Sequence, residues 1–157
     1  MKEVIKTENT PEPVGPYSKA LKVNKFLFVS CQVAIDPKED RIVATGIREQ
    51  TARVMENIKA ILKAAGYTLN DVVQSNVYLS LMAMLSEFNN EYAKYFDKGF
   101  PTRATVGIEL MPGALLEIAV VAYKDLLFAR AIIDIIYNYV CDYIFLENIK
   151  FLLKTGS

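Results

Sequence analysis

The sequence predicts an α+β fold in which a mixed sheet carries two helices on one face. Three observations predict it. Two stretches show apolar residues at helical spacing. Apolar runs of strand character lie before, between and after them. The chain has 157 residues, 52% of them apolar, with few prolines and glycines. Such a chain buries a core without disulfide or metal staples and leaves room for an appendage.

Residues 8–18 (ENTPEPVGPYS) open the pattern as a loop, because three prolines and a glycine oppose regular structure. Residues 25–30 (KFLFVS) read as a buried strand, and CQVAI continues it after a bend. Pro37 to Asp40 reads as a turn. Gly46 to Gly66 is the clearest helix. Its stripe is Ile47, Thr51, Val54, Met55, Ile58, Ile61, Leu62 and Ala65, with Gly66 as the stop. Thr68 to Asp71 reads as a short capped turn, and Asp71 to Leu79 as a strand. A second helix follows from Met82 to Phe96, with Leu85, Phe88, Tyr92 and Phe96 inward. Arg103–Ile108 and Leu115–Tyr123 read as a hairpin around Met-Pro-Gly-Ala. With both helices on one face, the other face of the sheet is left for a partner subunit to cover.

Composition removes several function classes. Eighteen basic residues balance eighteen acidic ones, so no charge excess points to nucleic acid. Histidine is absent, which removes Ser-His and Cys-His pairs and the usual zinc ligands. No phosphate-binding or dinucleotide glycine pattern occurs. Any chemistry therefore falls to Arg, Glu, Tyr, Ser, Asn, Cys or backbone groups. Cys31 and Cys141 are too few for a disulfide framework and suit a reducing compartment. The first residues do not read as a signal peptide, so the expected location is cytoplasmic.

Glu117 interrupts an apolar strand, where a carboxylate is costly unless paired, hydrogen-bonded or protonated. It is either a solvent-facing strand-edge residue or a functional acid. Arg103, if the hairpin forms, lies a step or two from Glu117 across the ladder. The two then form either a structural pair or a site. In a site, the guanidinium grips a substrate carboxylate and the carboxyl handles protons. Tyr17 either anchors its loop or lids a pocket. Ser30, Cys31 and Gln32 end a strand where hydroxyl and backbone groups could meet a ligand.

Gly15-Pro16-Tyr17-Ser18, Ser30-x-Gln32, EQTARVMENIKAILKAAGYTLNDVV, Asn89-x-x-Tyr92, Pro101-x-Arg103-Ala104 and Leu116-Glu117-Ile118 occur together in one order. Through these motifs, residues 1–124 resemble the RidA/YjgF family of imine deaminases. The resemblance implies a chorismate-mutase-like homotrimer with clefts between subunits. It implies hydrolysis of 2-aminoacrylate and 2-iminobutanoate to 2-keto acids and ammonia, without cofactor or metal. It gives Arg103 the substrate carboxylate and Glu117 the water and protons. Tyr17, Ser30, Cys31, Asn89 and Thr105 are then substrate-binding.

Several positions depart from the family pattern. Cys31 stands where glycine is usual, and Lys19 replaces a common glutamine. Ala119 replaces a frequent acidic residue, and the segment between Arg103 and Glu117 is one residue short. Residues 80–85 (SLMAML) are unusually apolar, which marks Leu81, Met84 and Leu85 as a candidate interface for a second protein. Residues 125–157 have no family counterpart and read as an apolar, helical extension. Arg130, Asp134 and Asp142 make it too charged for a clean membrane span. The closing Thr-Gly-Ser resembles an engineered ending. The alternative function is thus a trimeric scaffold component of a larger, designed assembly, with catalysis impaired or lost. A ligand-binding module without turnover is a third reading.

Overall fold

In the computed structural model, the described residues are 2–125. The expectations for the 125–157 extension, including an extra helix and a docking role, lie outside them beyond Asp125.

Eight strands and two helices occur in the order β1 (Lys2–Ile5), β2 (Ala20–Val23), β3 (Phe26–Gln32), β4 (Ile35–Asp36), β5 (Arg41–Ile42), α1 (Ile47–Ala64), β6 (Val72–Leu79), α2 (Leu85–Tyr92), β7 (Thr102–Gly107) and β8 (Leu116–Tyr123). Six strands form one sheet in the order β1-β2-β3-β8-β6-β7, and β4 and β5 make a separate two-stranded ribbon. All pairings in the large sheet are antiparallel except β6 with β7. The sheet is therefore mixed, as expected.

Helix α1 forms where its stripe demanded. Ile47, Thr51, Val54, Met55, Ile58, Ile61 and Leu62 are all buried. Gly66 adopts φ +81°, and the Tyr67 N–H reaches back to the Leu62 carbonyl at 2.8 Å. This left-handed cap is cheap for glycine and ends the helix. Helix α2 is shorter than the 82–96 expectation, because 3₁₀ turns at Met82–Met84 and Ala93–Tyr95 flank it. Phe88 and Tyr92 are buried, while Leu85 and Phe96 lean on the core. Both helices cover one sheet face, where they meet Leu27, Val29, Val77, Leu79, Leu116, Ile118 and Val120. Each such side chain contributes roughly 1.5–3 kcal/mol on burial.

The expected hairpin does not form. Strand β8 lies between β3 and β6, and β7 runs parallel to β6 on its far side. Arg103 pairs with Ser75 and Glu117 with Tyr78, so β6 stands between the two residues. The Met111–Ala114 turn exists, but the segment containing it crosses over β6 rather than joining neighbours. The strands β1 and β2 were not expected. Each has four residues, and the proline-rich loop joins β1 at the sheet edge to β2 beside it.

The opposite sheet face carries Phe26, Phe28, Val73 and Val106, all exposed. Phe26 stacks on Phe28 at 6.2 Å and tilts against Tyr123 at 5.1 Å. An apolar, aromatic face of this kind is characteristic of an interaction surface.

Candidate functional site

A cleft of about 390 Å³ opens beside the β3–β8 junction. Pro11, Pro13, Val14 and Tyr17 form one wall, and Ser30, Cys31, Gln32 and Glu117 the other. The rigid loop and the strand end expected from the sequence do converge here. Strand β3 carries one extra residue against β8, since Val29 faces Val120 and Gln32 faces Ile118. This bulge turns Cys31 toward the cleft. Cys31 does not need a left-handed backbone, as only Asn24 and Asp40 among described non-glycine residues have positive φ. A side chain at this position, where the family usually has glycine, therefore brings no backbone strain.

Cys31 and Glu117 both line this cleft. Burial and the adjacent Glu117 carboxylate push the thiol up to about 11. At neutral pH it is a protonated donor and a poor nucleophile. The Ser30 hydroxyl is engaged elsewhere, donating to the Ser18 carbonyl at 2.8 Å.

Arg103 belongs to a second cleft of about 450 Å³, with Asn89, Tyr92, Ala93, Phe100 and Pro101. Its guanidinium sits 5.5 Å from the Phe88 ring centre and 5.4 Å from that of Tyr92. These rings fix an arginine fork without neutralising it. Tyr92 is braced by a buried 2.8 Å hydrogen bond to Ser75. Burial raises the Tyr92 hydroxyl above its ordinary value, so it stays protonated. Asn89 Oδ1 and Thr105 Oγ1 are buried without a hydrogen-bond partner among the described residues. Such orphaned acceptors cost free energy until something donates to them.

The structure thus brings Tyr17, Ser30, Cys31 and Glu117 together. It gathers Arg103, Asn89 and Thr105 on the other side of the sheet. Within one chain it does not bring the two groups together. Among the described residues no carboxylate pairs with Arg103 and no cation pairs with Glu117.

A family model described as endoribonuclease L-PSP matches residues 7–124. The chain belongs to this family, the YjgF/RidA family. A RutC family protein of Pyrococcus horikoshii is 51% identical over 126 residues, covering 80% of this chain and 100% of that protein. The 2-iminobutanoate/2-iminopropanoate deaminase of Mus musculus is 35% identical, covering 79% of this chain and 93% of that one. The crystal structure of E. coli TdcF with bound serine matches with TM-score 0.74 at 28% identity, over 78% of this chain and 99% of that chain.

In this RidA-family chain the braces behind the clefts are polar residues that apolar spacing alone overlooked. Gln50 is buried and donates to the carbonyls of Ala44 and Gly113 at 3.0 and 2.8 Å, while accepting from the Leu115 N–H at 2.9 Å. Asn57 donates to Val33 and Ile35 carbonyls at 3.2 and 3.0 Å. Both amides sit seven residues apart on the buried stripe of α1, a signal readable from the sequence. Of the candidate interface, Leu81 is 58% exposed, whereas Met84 and Leu85 pack partly against the core. No group of His, Cys, Asp and Glu among the described residues could hold a metal, and no helix there is long and apolar enough to cross a membrane.

Proposed function

We propose that a homotrimer of this chain hydrolyses reactive enamine and imine acids to 2-keto acids and ammonia. Substrates of this class include 2-aminoacrylate and 2-iminobutanoate. One observation carries the reading: Arg103 and Glu117 each face a cleft without an opposite charge among the described residues. Strand β7 is a sheet edge, so a neighbouring protomer can receive Arg103 beside its own Glu117. The exposed Phe26, Phe28 and Val106 supply apolar area for such an interface. Homotrimers are typical of the family, and the mouse relative is named for this chemistry.

Arg103 then grips the substrate carboxylate through two parallel hydrogen bonds. Asn89 and Thr105, with Tyr17 and Ser30, line the shared cleft. Glu117 takes a proton from water as the water oxygen attacks the imine carbon. It passes that proton to nitrogen to give a carbinolamine, then takes the hydroxyl proton and delivers it to the amine, so that the C–N bond breaks, the carbonyl forms and ammonia leaves. Balanced charge and the lack of histidine do not favour RNA cleavage, despite the family's descriptive name.

The test is a coupled assay with a dehydratase that releases 2-aminoacrylate. The protein is expected to speed ammonia and keto-acid release. Equal rates with and without it would overturn the proposal. The exposed Leu81 supports a second reading, a scaffold trimer that docks another protein. A solution mass no larger than a trimer, unchanged by charge substitutions at Leu81 and Met84, would remove that reading.

A further inference from the structure

We propose that Cys31 sets ligand length in this cleft, restricting it to 2-imino and 2-keto acids with short side chains. This rests on the deaminase reading and adds a determinant to it.

The bulge that presents Cys31 is locked on every side. The Ser30 N–H donates to the Lys19 carbonyl at 3.1 Å, and the Ser30 hydroxyl to the Ser18 carbonyl at 2.8 Å. The Gln32 amide donates to the carbonyls of Ser30 and Cys31 at 3.0 and 3.3 Å. Lys19 is only 4% exposed, and its ammonium donates to the Thr7 and Thr10 carbonyls at 2.8 and 3.1 Å and to Glu12 at 3.3 Å. These bonds tie the Tyr17 loop to the bulge.

The backbone of Cys31 therefore cannot retreat when a ligand enters. Its side chain occupies cleft space that a glycine would leave open, opposite the stiff wall of Pro11, Pro13 and Val14. A ligand with a long side chain must displace protein atoms there, which is costly in a braced site.

Burial and the Glu117 carboxylate keep the sulfur protonated. The thiol thus acts as a filler of space, while the nucleophile is water.

Two measurements separate this inference from the function it rests on. Calorimetry is run with straight-chain 2-keto acids of increasing length on the full chain, its Cys31→Gly variant and its Cys31→Ala variant. Wild-type affinity is expected to fall steeply with length, and Cys31→Gly to recover at least about tenfold for the longest acid while changing pyruvate little. An unchanged length profile in both variants overturns the proposal, whether or not the protein turns over substrate.

Turnover of 2-aminoacrylate is then measured with the wild-type chain. No acceleration would fail the deaminase reading by itself, leaving the binding profile to judge the length limit.

Discussion

Arg103 and Glu117 lie on opposite faces of one sheet with strand β6 between them. Arg103 is in register with the buried Ser75 and rests on the α2 rings, whereas Glu117 is in register with Tyr78 and faces the bulge cleft. Side chains alternate along a strand, so the odd spacing from Ser75 to Tyr78 puts the two residues on different sides. A single protomer therefore cannot apply both groups to one small substrate.

The first prediction follows from that separation. Arg103→Ala and Glu117→Ala are each expected to lose at least about 100-fold in kcat/KM, the scale for truncating a charged hydrogen-bonding group in a desolvated site. Co-refolding the two inactive variants should restore activity. Random mixing in a cyclic trimer gives roughly a quarter of the clefts both intact groups. Co-refolded mixtures that stay as inactive as the single variants would mean the site is not shared between chains.

The second prediction concerns the reactivity of Cys31. Its thiol titrates at about 11 because burial and the Glu117 carboxylate both disfavour thiolate. Alkylation of the Cys31 peptide by iodoacetamide, followed by mass spectrometry, should stay slow through pH 9 and rise toward pH 11. Glu117→Gln removes the negative charge, so thiolate should form at lower pH and labelling should accelerate. The folded thiol holds its proton where an unfolded one has lost it. Its contribution to stability is therefore present below the ordinary thiol range and lost as pH rises through about 11. An alkylation profile identical in wild type and Glu117→Gln would exclude the Glu117 charge as a cause of the raised thiol.

The fold class was legible because both helices carry long apolar stripes, and Val54, Ile58, Ile61, Leu62 and Phe88 are indeed buried. Strand order was not legible. Nothing local to Thr102–Gly107 states that its partner is β6 in parallel, since sequential strands usually pair with each other. That one assumption put Arg103 beside Glu117. The strands β1 and β2 escaped because each has four residues and neither alternates buried with exposed positions. Arg103, Glu117, Tyr17, Ser30 and Cys31 stood out by residue type and place, Asn89 and Thr105 by resemblance, and their division between two clefts required the topology.

A third prediction tests the buried amide of Gln50. It serves three backbone groups spread over residues 44 to 115, and so ties the start of α1 to the turn before β8. Gln50→Leu keeps the approximate volume but strands two carbonyls and one N–H. Each orphaned buried group costs about 1–3 kcal/mol. Urea denaturation should show a loss of roughly 3 kcal/mol or more. A loss below about 1 kcal/mol would mean that water replaces the amide.

A fourth prediction separates the two surfaces that could carry assembly. Phe28 is exposed on the helix-free face, beside Phe26 and in register with Val121. Leu81 is exposed at the start of the turn before α2. Phe28→Lys places a charge in the aromatic patch, where desolvation without a partner costs several kcal/mol. Light scattering should then report a monomer whose circular dichroism is unchanged, because the residue contributes little to the core of its own chain. Leu81→Lys should leave the trimer mass intact and dissolve only larger species. A trimer that survives Phe28→Lys would move the subunit contact away from the open sheet face, and with it the route by which Arg103 reaches a neighbour's Glu117.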